Sequence, residues 1–436
     1  MSTTTYLQNT HTGTGSSTGE KATMSLWVKR TDPSGDTRST IIGARTDDNN
    51  YFKIRFADND RLMVYGAKAG STNVDIQTNA EFRDVFGWYH IVLQIDTTNA
   101  TDTERVKWYV NGELQTIYST GRVYPSQNDV NHLTSASDIN IGCNAVGTNE
   151  HFDGSMSHFH MIDGTIYPPT AFGLTDSTTG EWKINTSPSV TYGAKGYFIL
   201  KDGNSVTDQS GNSNNFTVAS GTLTKTEDNP SNVFATINPL VPYSSNLDFH
   251  EGNTTVENDG SSANWTTRWG VSTLGMSSGK FYAEAKVANI GTNQMYALGL
   301  AKDVGTFTPT SSVGANGLAY YSTGNIYNGI SGQDQTGLAS YTTNDIIGLA
   351  IDATNGSAQW YKNGSAIGNA ETIATDGTWF FVTNFYTNGR VNVNYGNGYF
   401  GTTAVSSAGT NASGNGIFEY DVPTGYTALS TKGLNL

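Results

Sequence analysis

A chain of 436 residues is too long for one compact core, and a net charge of -14 disfavours binding to a phosphate backbone. Charged residues make up only 14% of it, against about 25% in an average globular protein. Hydrophobic residues still reach 36%, and Gly numbers 49, so the composition excludes global disorder and suits a turn-rich all-β protein.

From the N-terminus, Met1 to Thr5 has neither a basic region nor an apolar core, so no signal peptide is expected and synthesis is cytoplasmic. No stretch approaches the roughly 20 apolar residues that span a bilayer, so no membrane insertion is expected. Strand-like runs bounded by Gly, Asn and Asp follow at Ala22 to Lys29, Tyr51 to Phe56, Leu62 to Tyr65, Trp88 to Asp96 and Val106 to Val110. In the fourth run, alternation sets Tyr89, Ile91, Leu93 and Ile95 on one face and Trp88, His90, Val92 and Gln94 on the other. The second face is mixed, which predicts a strand covered in part on both sides. Cys143 stands alone, which excludes an intrachain disulfide, and its context reads as a small buried residue. His158 and His160 share a face if the strand is regular, a chelating geometry for Zn or Ni, against the plainer reading of an exposed polar face.

A seam falls between Asp228 and Pro242, where three of the ten prolines lie within 15 residues. It predicts a first domain over 1–228, a Pro/Asn-rich linker over 229–242 and a second domain over 243–436. Strands resume at Lys280 to Val287, Gln294 to Leu300, Asp345 to Ile351, Gln359 to Lys362, Trp379 to Phe385 and Arg390 to Tyr395. The halves share one local unit: Arg105 to Gly112 and Ser357 to Gly364 each carry Trp-Tyr-x-Asn-Gly after a preceding strand and polar turn. Asn-Gly favours a type I′ turn, so each unit is a three-stranded antiparallel meander. Alternation forbids Trp and Tyr of one strand from entering the same core.

The series Ser25 to Arg30, Arg83-Asp84, Trp88 to Val92, Asp96 to Thr98 and Arg105 to Gly112 resembles the laminin-G-like, concanavalin A-like jelly rolls, especially those of tailed phages. The likeness continues through Phe152 to Met156, Tyr167 to Gly173, Gly180 to Lys183, Gly196 to Leu200 and Asp208 to Phe216, and the seam resembles the linker of those phage proteins. The second half is similar to the SPRY (B30.2-like) sandwich at Ser278 to Glu284, Asn344 to Asp352, Trp360 to Gly364, Val393 to Gly396 and Pro423 to Leu429. It departs from that pattern at Tyr395 and in a Gly/Ser/Thr-rich insertion from Gly401 to Gly416. The resemblance implies two tandem antiparallel β-sandwiches and a non-enzymatic virion protein, a tail or head fibre with lectin-like modules for host-surface or carbohydrate attachment. The alternatives it leaves are a capsid decoration or scaffold protein and a polysaccharide depolymerase. Implied partners are other virion proteins, a host-surface glycan or receptor, and copies of the chain itself, a trimer being common among fibres, although no heptad repeat supports a coiled coil.

Jelly-roll glycosidases carry Glu-x-Asp-x-x-Glu on one strand, whose alternation points the carboxylates into one cleft. Glu419-x-Asp421 is followed by Thr424 and Glu257-x-Asp259 by Ser262, so the third acid is missing from both and no catalytic residue is expected. Laminin-G relatives often hold calcium at a sandwich rim, which makes Asp47, Asp48, Asp58 and Asp60 candidate ligands; turn-forming Asp explains all four without metal, and no other cofactor is expected. Trp265, Trp269 and Tyr327 lie beside Gly/Asn-rich turns, where they either pack in the core or stack on sugar rings.

Overall fold

The computed structural model describes residues 4–436 except 11–18, 32–37, 119, 135–137, 202–204, 242–245, 261–264, 267, 293, 305–316 and 330–333. Among the described residues every regular element is a strand apart from three short 3-10 turns, as an all-β composition requires. The chain divides into two compact units, Met1–Lys225 and Thr226–Leu436.

In the first unit a seven-stranded sheet runs in the order Thr217–Ser220, Tyr6–Thr10, Asp138–Ile141, Ser39–Asp47, Asn50–Phe56, Arg61–Lys68 and Ser71–Glu81. Its outermost pair is antiparallel, with Tyr6 opposite Ser220. A six-stranded sheet runs Tyr197–Ile199, Gly154–Asp163, Lys21–Arg30, Tyr89–Asp96, Val106–Val110 and Glu113–Leu114. Alternate residues of both sheets meet in one core: Phe52, Ile54 and Phe56 from the first, and Ile91, Leu93, Ile95 and Trp108 from the second. The mixed face of Tyr89–Asp96 is covered too. Val92 packs with Ile162 and Phe172 beneath Tyr109, Tyr167, Val190 and Tyr192, so the segment after Asp163 clads the outer side of the six-stranded sheet.

The second unit repeats the plan. Its larger sheet runs Asp248–His250, Thr255–Asn258, Gly389–Asn394, Lys280–Asn289, Ile346–Asp352, Ser357–Lys362 and Ser365–Thr372, with Thr427–Ala428 pairing in parallel with Lys280–Asn289. The smaller runs Trp269–Val271, Trp379–Phe385, Met295–Lys302, Gly317–Tyr321 and Asn325–Asn328. Trp360 lies in the central core, while Tyr361 packs on the outer side with Phe234, Tyr282, Phe418 and Val422. Trp108 and Tyr109 divide in the same way. Both Asn-Gly pairs have the two positive φ angles of a type I′ turn: 49° and 83° at Asn111-Gly112, 48° and 80° at Asn363-Gly364.

One irregularity shapes the second unit. Met295–Lys302 loses register against Trp379–Phe385 between Tyr296 and Gly299, a β-bulge that turns both Ala297 and Leu298 inward. Two side chains take up the freed backbone groups. The Tyr341 hydroxyl accepts from the Ala297 N–H at 3.0 Å, and the Trp360 indole donates to the Leu298 carbonyl at 2.9 Å.

The segment 229–242, expected as a linker, is instead part of the second unit through at least Ile237. Phe234, Ala235 and Ile237 are buried in its clusters, and the Ala235 N–H donates to the Leu429 carbonyl at 2.9 Å. Proline density marked a chain without ladder pairing, yet the apolar residues between the prolines still had a core to enter. Pro242, and residues 243–245 at the expected start of the second domain, lie outside the described residues. The insertion Gly401 to Gly416 is ordered by hydrogen bonds from Gly409 N–H to the Phe418 carbonyl and from Asn411 to the Asn415 carbonyl.

Candidate functional site

Trp265, Trp269 and Tyr327 converge on the outer face of the five-stranded sheet, in one cluster with Val271, Tyr296, Ala301, Ala319, Tyr321 and Val382. The bulge explains the cluster's floor. Tyr296 emerges on the outer side just before it, and Gly299 just after; a Cβ at Gly299 would stand 2.9 Å from the Leu318 carbonyl oxygen, 3.0 Å from the Ala319 Cβ and 3.3 Å from the Tyr296 ring, so glycine fits the close approach of the next strand and of that ring. Trp265 stacks on Tyr296 at 6.0 Å and 12°, and meets Tyr321 at 5.5 Å and Tyr386 at 5.1 Å. Tyr327 stands edge-on to Tyr321 at 4.8 Å and 86°.

The three candidates divide. Trp269 is 1% exposed and cannot touch a ligand, which corrects its assignment as a contact residue. It packs edge-on to Tyr296 and donates its indole N–H to the Trp265 carbonyl at 2.7 Å, so it positions Trp265. Trp265 and Tyr327 are half-buried, as is Tyr386. Together they form an aromatic ledge. Beneath it, Asn384 donates to the same Trp265 carbonyl at 2.9 Å, and its own carboxamide oxygen is buried without a partner among the described residues. Burial holds the Tyr296 hydroxyl well above the usual phenol range, so it is a neutral group under any working condition. Tyr296, Tyr321, Asn384 and Tyr386 were not singled out from sequence. The legible signal was Asn384, a polar residue that alternation places on the outer face with Phe380 and Val382.

Each of the four aspartates has a partner within the protein. Asp60 is 1% exposed and neutralised by Arg30 at 2.9 Å and Arg83 at 2.7 Å. Asp48 pairs with Arg45 at 2.9 Å and Asp58 with Arg38 at 3.6 Å, while Asp47 closes a tight turn by accepting from the Asn49 N–H at 2.8 Å. Among the described residues no group of three or more His, Cys, Asp or Glu is placed to hold a metal. The histidine pair fits neither expected reading. A bulge between Ser157 and His160 breaks the alternation, with His158 at φ 48°. His160 is buried, stacked on Phe198 at 3.9 Å and bonded through Nδ1 to the Tyr192 hydroxyl at 2.9 Å, and burial drives its pKa well below the usual imidazole range.

A buried serine–histidine contact occurs at Ser25 and His90, 2.9 Å from Oγ to Nε2. Its chemistry is fixed by a third group. The Trp182 indole, which can only donate, reaches His90 Nδ1 at 2.9 Å, so Nδ1 is bare and the ring proton sits on Nε2. Nε2–H therefore donates to Ser25, and the ring cannot take the serine proton. Burial also pushes the His90 pKa down to about 3. Burial likewise raises the Cys143 thiol to about 11, far from the thiolate a nucleophile needs. Glu419 and Asp421 fasten the Ser406 and Thr410 backbone N–H groups at 2.8 and 2.7 Å, and Glu257 lies 3.5 Å from Arg390.

The family described as the concanavalin A-like lectin/glucanases superfamily, a laminin-G family, matches residues 2–169. The N-terminal region thus carries a concanavalin-like domain. Among solved structures, the SPRY domain of human HERC1 is similar at 17% identity and TM-score 0.30, over 36% of this chain and 96% of that one. The heptameric SAP-like pentraxin of Limulus polyphemus is similar at 15% identity and TM-score 0.29, over 38% of this chain and 72% of that one. The TRIM65 PSpry domain is similar at 11% identity and TM-score 0.29, over 37% of this chain and 91% of that one. No functionally curated protein matches the sequence.

Proposed function

We propose that this chain is a non-catalytic, carbohydrate-binding attachment protein of a phage virion, and that the ledge of Trp265, Tyr327 and Tyr386 makes glycan contact. The observation that carries the reading is the convergence of these half-buried rings on one sheet face. Pyranose rings present C–H faces that stack on aromatic rings, while their hydroxyls seek polar partners nearby. The ledge supplies the rings, and the fully buried Asn384 side chain braces the Trp265 carbonyl beneath it. Against hydrolysis stand the proton on His90 Nε2 and the use of Glu419 and Asp421 as turn fasteners. The virion assignment rests on the ordered motif series of the first 240 residues. In this reading the partners are a host-surface glycan, other virion proteins and further copies of the chain, whose number on a particle turns weak single contacts into firm adsorption. No cofactor is required.

The test is binding of the full chain to a glycan array and to host cells. Trp265→Ala and Tyr327→Ala should each weaken binding by about 2- to 12-fold, since stacking on one ring is worth roughly 0.5–1.5 kcal/mol. Undiminished adsorption by both folded variants would remove the ledge from consideration. Release of new reducing ends from host polysaccharide would overturn the non-catalytic part.

A further inference from the structure

The outer face of the larger sheet in the second unit is roofed by the segment from Val405 to Tyr426, and beneath that roof lies a carboxylate. Glu284, on Lys280–Asn289, is wholly buried. Its two oxygens accept from consecutive backbone N–H groups of the roof, Glu419 at 2.8 Å and Tyr420 at 2.9 Å, and the Tyr282 hydroxyl donates at 3.2 Å. Apolar packing surrounds the contact: Phe234, Tyr282, Ala350, Phe418, Val422 and Ala428 form one cluster. No cation pairs with Glu284 among the described residues.

The other groups that face it are Tyr282 on its own strand, Tyr361 on Ser357–Lys362, and Glu419 and Tyr420 on the roof. Farther out lie Asp421, tied to Thr410, and Tyr426, with Lys280 at 5.7 Å from its ring and paired to Asp352. Lys286 shares the outer face one pleat farther along the strand. The tyrosines are held above their ordinary range and Asp421 and Asp352 below theirs, so none of these changes charge near neutrality.

We propose that Glu284 makes the roof a pH-gated cover, tightest in acid and loosened as the carboxylate ionises. Burial raises its pKa to about 7, and the two backbone bonds and the Tyr282 hydroxyl only partly offset that. Lifting the roof hydrates the group and returns it to the ordinary carboxylate value. The closed form therefore binds the proton more tightly than the open form. Between the two pKa values the open form is ionised and the closed form protonated, so the opening equilibrium rises by about tenfold per pH unit and levels off above neutrality.

Peptide-resolved hydrogen exchange on the full chain from pH 5 to pH 8, corrected for the intrinsic exchange rate, reads this directly. Peptides carrying Glu419 to Asp421 should open more readily with rising pH up to about 7, then no further. Glu284→Gln, neutral at every pH, should show a flat profile. A wild-type opening constant that is flat or falls with pH overturns the proposal, as does the same rise in Glu284→Gln. Should that variant fail to fold, the wild-type slope decides alone.

Discussion

The two Trp-Tyr strands look alike in sequence, but their indoles are bonded differently, and phenylalanine should separate them. Both Trp108 and Trp360 are fully buried in a central core. Replacing either by Phe leaves a similar void, worth roughly 1 kcal/mol at about 24 cal/mol per Å3. Trp360 also donates to the Leu298 carbonyl that the bulge has withdrawn from the ladder. Trp360→Phe orphans that carbonyl inside the core, which adds about 1–3 kcal/mol. The Trp108 indole N–H, in contrast, has no partner among the described residues. Trp108→Phe removes an unsatisfied donor, and the gain of about 1–3 kcal/mol offsets the void. Trp360→Phe should thus destabilise the second unit by about 2–4 kcal/mol, and Trp108→Phe should leave the first between unchanged and about 2 kcal/mol more stable. Because two units need not unfold together, the assay is urea unfolding of the full chain followed by peptide-resolved hydrogen exchange, which scores each unit separately. Equal losses from the two substitutions would refute the argument from hydrogen bonding.

Tyr341→Phe should cost the second unit about 1–3 kcal/mol by urea unfolding, since it strips the Ala297 N–H of its acceptor; an unchanged midpoint would contradict that. Asp60→Ala should destabilise the first unit by about 3–5 kcal/mol, because it removes the buried carboxylate that pairs with both Arg30 and Arg83, whereas millimolar calcium should not shift wild-type melting. His90 has a folded pKa below its unfolded one, so its contribution is complete above pH 6.5 and is lost as pH falls towards 3; the first unit should weaken by up to about 1.4 kcal/mol per pH unit over that window, and a His90→Phe variant that folds should show a shallower slope. Gly112→Ala meets a positive φ and the Trp182 ring at 2.6 Å, so it should lower the melting temperature more than Gly121→Ala, which shares the φ but has open space around it.

Strand periodicity and turn chemistry were legible because they are local. Val106–Val110 and Trp379–Phe385 were readable to the residue, and the positive φ angles at Asn111 and Asn363 follow from Asn-Gly itself. What escaped was everything set by a second layer. The mixed face bearing His90 and Val92 signalled cover, but the covering residues Phe172, Trp182 and Tyr192 come from irregular chain or from a three-residue strand too short to show a period. The bulge at Ala297-Leu298 was hidden because an extra residue leaves no mark in an apolar run. For that reason Tyr296 could not be assigned to the face where Trp265 rests on it. The Asp clusters stay ambiguous in sequence because the same residues suit a turn, an arginine and a cation, and the pairing of Asp60 with Arg30 and Arg83 depends on chain positions that no local pattern gives.

The pairing of Tyr6 with Ser220 sets how the first unit meets a pulling force. The two strands are antiparallel neighbours, and Tyr6 and Ser220 are the residues nearest the points where the chain enters and leaves the sheet. The side chain of Thr5 extends the seam by one rung, donating to the Thr222 carbonyl at 3.2 Å. Tension applied through the two ends acts across the hydrogen bonds rather than along them, and loads one rung at a time. Such a seam peels like a zipper at low force, where strands drawn past each other in shear would share the load over every rung. Pulled by its two ends, this unit would yield early and lengthen.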